Sequence, residues 1–211
     1  MFYPKLTRRD EYKKTSQGNY YANYKEYYEE IKEDCKERCV YCDTLLSEQG
    51  GEGFHLDHFR PSALFPELST DPNNLVLSCS KCNIFKSKNW HTSDLIPAYT
   101  SHDGVSGFID PFQEGLSNHF SVSLTGKLLS TSKVSSYMIE ILHLNRESRL
   151  QIRRRRYINY RAEQLSVRID QKLATLIKFM EEDNYDRNTA RSMALSIREA
   201  KNLLNKLLFH S

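Results

Sequence analysis

The spacing of apolar positions along the chain changes repeatedly, and each change marks a predicted element. Between residues 20 and 37, Tyr20, Tyr24, Tyr27, Tyr28 and Ile31 recur at helical spacing, with Lys25, Glu29, Glu30 and Glu33 at other positions. This predicts an amphipathic helix whose apolar face packs on a core. Phe54 to His58 reads as a short strand closed by Pro61, and Leu75 to Ser78 as a second one. Between them, residues 61–73 hold three prolines and the run Ser69-Thr-Asp-Pro-Asn73, which predicts an irregular loop. A short helix carrying Lys86 and Lys88 follows from Asn83 onward. Alternation around Thr125-Gly126 predicts a β-hairpin. From Ser135 the chain turns helical, with Met138, Ile139, Ile141 and Leu142 on one side. Residues 146–182 and 185–209 then read as long helices parted near Glu182-Asp-Asn-Tyr185. Strands and helices occupy separate stretches, so the class is α+β.

Composition narrows the compartment more than the partner. The 211 residues carry a net charge of only +3, with 27% charged side chains, so any nucleic-acid surface must come from local clustering. Such clustering exists. Between Arg146 and Asp170 there are eight arginines against three acids, among them Arg153, Arg154 and Arg156. They read either as a nucleic-acid stripe or as a solvated helix surface, the stripe being the preferred reading. Residues 1–18 mix Lys5, Arg8, Arg9, Lys13 and Lys14 with few apolar side chains and read as a basic arm or a surface-hugging lead-in, either contacting phosphate or simply solvated. The first residues lack the apolar core of a secretory signal, and no apolar run reaches the roughly 18 residues of a membrane span. The five cysteines fit a reducing interior, so the expected location is cytoplasmic, with no membrane association.

Four of those cysteines stand in two Cys-x-x-Cys pairs, Cys39/Cys42 and Cys79/Cys82. Each pair offers two thiolates to one ion, and four thiolates close a tetrahedral zinc site with no open position. Such a zinc is structural and stabilises a module too small to hold itself together. Cys35 is left over as a helix residue. A redox pair is the weaker reading, for want of a thioredoxin-like βαβ context.

A second layer of residues has no place in a zinc site. Asp57 offers a hard oxygen suited to Mg²⁺ or Mn²⁺, and a neutral imidazole at His58 can accept a proton near pH 7. Asn83 directly follows the last zinc cysteine, so the zinc would hold its amide oxygen in place as a second ligand to the hard ion. His55, two residues before Asp57, lies on the same strand face and reads better as a surface or core histidine than as a ligand.

Cys39-x-x-Cys42, Asp57-His58-x-x-Pro61, Asn74-Leu75 and Cys79-x-x-Cys82-Asn83-x-x-Lys86 together resemble the zinc-containing HNH endonucleases of the ββα-metal, or His-Me finger, class. The resemblance covers about residues 35–95. It implies a ββα-metal nuclease core stapled by the four-cysteine zinc site, with an N-terminal helix and a largely helical C-terminal half. The expected division is 1–34 for the arm and helix, 35–100 for the core and 101–211 for the remainder. It further implies His58 as general base, Asp57 and Asn83 as ligands of a catalytic Mg²⁺ or Mn²⁺, and Asn74 as the brace of the loop and of His58. Lys86 and Lys88 would bind flanking phosphates. The last HNH position is Asn83 rather than His, a departure that some active members share.

Beyond the core, Phe108-Ile-Asp-Pro111, His119-Phe120, Thr125-Gly126 and Leu142-x-Leu144-Asn145-Arg146 are similar to stand-alone bacterial HNH proteins found in antiphage systems. That likeness implies a defence effector acting on nucleic acid, DNA before RNA, and an ATPase partner docked on the Leu203, Leu204, Leu207, Leu208 face. The competing reading is a non-catalytic zinc module that binds nucleic acid or a protein. It needs only the cysteines and the basic stripe.

Overall fold

The computed structural model describes residues 2–49, 53–91 and 100–209 and divides into two compact units, Met1–Arg153 and Arg154–Ser211. The first unit is organised on a two-stranded antiparallel sheet. Strand β1 (Phe54–His58) pairs with β2 (Leu75–Cys79) in a register that sets Phe54 opposite Cys79, Asp57 opposite Val76 and His58 opposite Leu75. All five residues of β2 are buried, as expected of a strand with one neighbour in the sheet and packed elements on its faces. The polar, glycine-bearing segment at residues 47–53 before β1 is expected to be a loop, and its residues 50–52 lie outside the described residues.

The N-terminal lead-in is no arm. Tyr3, Leu6 and Tyr12 are buried in the same core as the sheet, and Tyr3 donates to the Tyr41 carbonyl at 3.0 Å. Two of the five cations that suggested an arm, Arg8 and Arg9, are used internally, while Lys5, Lys13 and Lys14 are exposed. Arg8 donates to the carbonyls of Pro72 and Leu75, while Arg9 pairs with Asp34, Glu33 and Glu30. Three well-spaced apolar side chains set the path of this segment, and the two arginines follow it inward because each meets a carbonyl or a carboxylate.

The predicted tyrosine helix is shorter than its periodicity. A 3-10 turn (Tyr24–Tyr27), capped by the Asn23 side chain on the Lys25 N–H, leads into α1 (Tyr28–Asp34). Tyr20 and Tyr21 lie before it and meet the Tyr27 ring edge-on. Lys36 and Glu37, both at positive φ, stop α1 and turn the chain into the first cysteine knuckle, where the Cys39 N–H donates to the Thr44 carbonyl at 2.9 Å. Helix α2 (Ser80–Lys86) begins three residues earlier than expected and places Cys82 and Asn83 in its first turn.

The predicted hairpin is β3 (Phe120–Val122) against β4 (Leu128–Ser130), turning through Gly126 at φ 80°. Helix α3 (Lys133–Ile141) starts two residues before the predicted Ser135, because Ser132 caps it and Ser135 bonds back to Ser132. Two long helices follow, α4 (Glu147–Met180) and α5 (Arg187–Phe209). Asp186 caps α5 by accepting from the Asn188 and Thr189 N–H groups. In the second unit only Ala162 and Ala190 are buried among the described hydrophobic side chains, whereas Leu173, Ile177, Leu203 and Leu208 are exposed. No described helix is long and apolar enough to cross a membrane.

Candidate active site and metal centre

Two chain reversals bring the cysteines together. The knuckle after α1 contributes Cys39 and Cys42, the end of β2 contributes Cys79, and the first turn of α2 contributes Cys82. All four are fully buried, and their Sγ atoms lie within 4.8 Å of one another. The Cys42 and Cys79 sulfurs are 3.8 Å apart, about the edge of a tetrahedron with ~2.3 Å zinc–sulfur bonds. The donor set therefore fits Zn²⁺. Hydrogen bonds from the other three thiols push the Cys79 thiol well down, while burial pushes Cys39 up. Such a cluster calls for a cation, since thiols this close cannot all ionise without one. Cys35 stays outside it. Its sulfur accepts from the Leu77 N–H at 3.3 Å, and burial pushes its thiol up to about 12.

The second layer gathers in a cleft of about 310 Å³ lined by Tyr24, Asp57, His58, Ser62, Asn83 and Lys88, among others. Adjacent strand residues should face opposite ways. At the end of β1, however, both Asp57 and His58 line this cleft. Asp57 is held from behind: Oδ2 accepts from the Tyr41 hydroxyl at 2.6 Å and lies 3.2 Å from Lys86 Nζ. Burial pushes the Asp57 carboxyl up, and the Lys86 ammonium and Tyr41 hydroxyl pull against it. His58 is held at one nitrogen. Its Nε2 lies 2.8 Å from the Ser69 carbonyl, which can only accept, so Nε2 carries the proton and Nδ1 is left as the basic nitrogen of the neutral ring. Tyr24 packs edge-on to the imidazole, with ring centroids 4.7 Å apart.

Asn74 reaches the site through the loop. Its Oδ1 accepts from the Arg60 N–H at 2.8 Å, and its Nδ2 donates to the carbonyls of Arg60 at 2.9 Å and Leu68 at 3.3 Å. Both ends of the loop that presents Ser69 to His58 are therefore tied to one buried amide. For a hard divalent ion, Asp57 and Asn83, which line the same cleft, could offer one carboxylate and one amide oxygen. That fits the usual Mg²⁺ arrangement of few protein ligands, with water and substrate phosphate completing the shell. Among the described residues, no other group of three or more His, Cys, Asp or Glu than the four cysteines clusters as metal ligands do.

The predicted phosphate ligands are placed differently from one another. Lys88 and Arg154 are exposed, Lys88 on the cleft, and Arg156 is half-buried. Lys86 is fully buried, its Nζ occupied by Asp57 and by the His58 carbonyl at 2.7 Å, so its ammonium does not reach the surface. Arg153 is 1% exposed and donates to the carbonyls of Gly126 and Leu144 and to Asn145 Oδ1. It is a core residue, because a guanidinium's fan of donors can satisfy carbonyls from a hairpin turn and a helix end together. His55 is exposed, with Nε2 3.1 Å from Ser80 Oγ. Sequence reading missed Tyr24, Tyr41 and the Ser69 carbonyl. Only the tyrosine spacing was visible, and it signalled packing.

Residues 39–89 match the family model described as HNH endonuclease. The chain is also 32% identical over 115 residues to the Septu protein PtuB of Bacillus thuringiensis, a stretch covering 53% of this chain and 38% of that protein's length. No solved structure gives a significant match.

Proposed function

We propose that this chain, which carries an HNH endonuclease domain at residues 39–89, is a metal-dependent endonuclease that hydrolyses phosphodiester bonds in nucleic acid, DNA before RNA. The observation that carries the reading is the single cleft in which Asp57, His58 and Asn83 meet beside the cysteine cluster. A zinc module that only bound nucleic acid would have no use for a histidine whose one nitrogen is pinned to a carbonyl and whose other is left basic.

In this reading His58 Nδ1 takes a proton from water as the water oxygen bonds phosphorus in line with the departing 3′-oxygen. The P–O3′ bond breaks, the 3′-oxygen leaves and is protonated from solvent, and the products carry a 5′-phosphate and a 3′-hydroxyl. A divalent ion held by Asp57 and Asn83 would supply the electrostatic stabilisation that phosphoryl transfer demands. The Ser69 carbonyl fixes the ring tautomer, Asn74 holds the loop that carries it, and Lys88 offers a cation to a flanking phosphate at the cleft.

The likeness to a Septu protein supports a defence role, and the exposed Leu203 and Leu208 of the second unit support docking on a protein partner, for which an ATPase is our proposal. The zinc-loaded chain, assayed with Mg²⁺ or Mn²⁺ on DNA and RNA, should cleave, and His58→Ala should abolish cleavage. Cleavage that survives His58→Ala unchanged overturns the assignment of the base. Absence of cleavage by the wild type, alone and co-expressed with its gene neighbours, overturns the nuclease reading.

A further inference from the structure

A zinc ion bound by four thiolates carries a net charge of −2, and here it would sit where every ligand is fully buried. Burying uncompensated charge is costly, so the surroundings should hold cations. They do, and from a distant part of the sequence. Arg149 Nη2 lies 3.4 Å from Cys79 Sγ, and Arg146 Nη2 lies 3.5 Å from Cys82 Sγ and 3.7 Å from Cys79 Sγ. Arg149 is 6% exposed. Arg146 is steered by its Nη1, which donates to the Leu142 and His143 carbonyls, and its guanidinium lies 5.8 Å from the Phe85 ring centroid on α2.

We propose that Arg146 and Arg149 form a guanidinium cap on the cysteine cluster, neutralising the loaded centre and setting how firmly it keeps its metal. The two positive charges equal the two negative charges of the loaded site. The cap is one-sided. It falls on Cys79 and Cys82, the pair that leads into Asn83, while Cys42 Sγ has the Thr44 hydroxyl at 3.3 Å. N–H groups donated to a metal thiolate draw electron density from sulfur, which slows protonation of the thiolate and attack by chelators. The cap also makes the metal centre a joint between α2 and the first turn of α4. It accounts for two of the eight arginines in the basic stripe without nucleic acid. The inference stands on the zinc centre alone and is independent of the nuclease reading.

The test uses the full zinc-loaded chain, with transfer of zinc to a chromogenic chelator followed in time. Arg146→Gln and Arg149→Gln should each speed release about tenfold or more, the usual effect of losing a group that supports a ligand. Arg146→Lys/Arg149→Lys, which keeps both charges, should restore most of the retention. In the Co²⁺-substituted protein, the sulfur-to-cobalt absorption should move to lower energy in the Gln variants, a signature that a packing role would not give. Release within twofold of wild type and an unmoved band, in variants with native circular dichroism, overturn the proposal. Should those variants fail to fold, the ¹¹³Cd-loaded wild type decides. Coupling between ¹¹³Cd and arginine Nη protons is expected, and its absence overturns the cap.

Discussion

Replacing Lys86 by Met should unmask the cost of burying Asp57. The lysine is fully buried, its Nζ 3.2 Å and 3.4 Å from the two carboxylate oxygens and 2.7 Å from the His58 carbonyl. Methionine nearly matches the volume of the lysine stem, so the cavity contribution is small. What remains is a buried carboxylate without its cation, a change that costs about 3–5 kcal/mol. The Tyr41 hydroxyl at 2.6 Å still donates to Oδ2, which places the expectation near the lower figure, about 3 kcal/mol. Trp90, the chain's one tryptophan, packs against Phe59 and Phe65 beside the loop and reports on this unit. Urea unfolding of the zinc-loaded protein followed by its fluorescence should show the loss as a lower midpoint at unchanged slope. Adding Asp57→Asn to Lys86→Met should recover about 2 kcal/mol, since no charge is then left to strand. A loss below about 1 kcal/mol for Lys86→Met, or a double variant whose cost equals the sum of the two singles, refutes the reasoning.

Other outcomes follow from single side chains. Arg153→Ala should cost about 3 kcal/mol in the same urea assay, because it strands the buried Gly126 and Leu144 carbonyls, while Asn145 Oδ1 keeps the Leu128 N–H, and should leave the salt dependence of DNA binding unchanged. Arg154→Ala, on an exposed side chain, should do the reverse: stability within about 0.5 kcal/mol of wild type, and a binding slope against log salt shallower by about one. Asn74→Ala should lower single-turnover cleavage about a hundredfold by releasing the loop behind His58, with substrate affinity little changed. Because burial raises the Cys35 thiol to about 12, only about one molecule in ten thousand is thiolate at pH 8. Disulfide-reagent labelling of the native zinc-loaded protein at that pH, read by mass spectrometry, should therefore spare Cys35. Prompt modification there would contradict its placement.

Much of the site was legible because its ligands come in local pairs. Cys39 with Cys42 and Cys79 with Cys82 declare themselves by spacing, the candidate pair Asp57 and His58 stands out as adjacent polar residues, and the strands that carry them follow from short apolar runs. The illegible parts are those where a charged side chain is satisfied by distant backbone. Arg8, Arg9 and Arg153 read as surface cations, yet each finds carbonyls or carboxylates across long stretches of chain. The tyrosine stripe promised a helix from residue 20. Asn23 instead opens a 3-10 turn, and Tyr20 and Tyr21 reach the core as edge contacts on Tyr27. Lys86 was the sharpest case. Its position in the motif suggested a phosphate ligand, and only the packing of α2 against β1 reveals that Asp57 already occupies it.

That packing explains why so short a helix can carry the site. Alone, seven residues would not hold helical structure in water, since nucleation is unfavourable and few hydrogen bonds follow it. Helix α2 is fastened near both ends instead. Cys82 ties its first turn to the metal centre, and Lys86 ties its last residue to Asp57. Phe85 adds a third fixing under the Arg146 guanidinium. Asn83 lies between these points, so its place on the cleft is set by groups it never touches. A metal ion closed off by the four cysteines would thus set the shape of the cleft through geometry alone. The Asp57–Lys86 pair serves the same end from the other side, orienting the carboxylate and the helix with one contact.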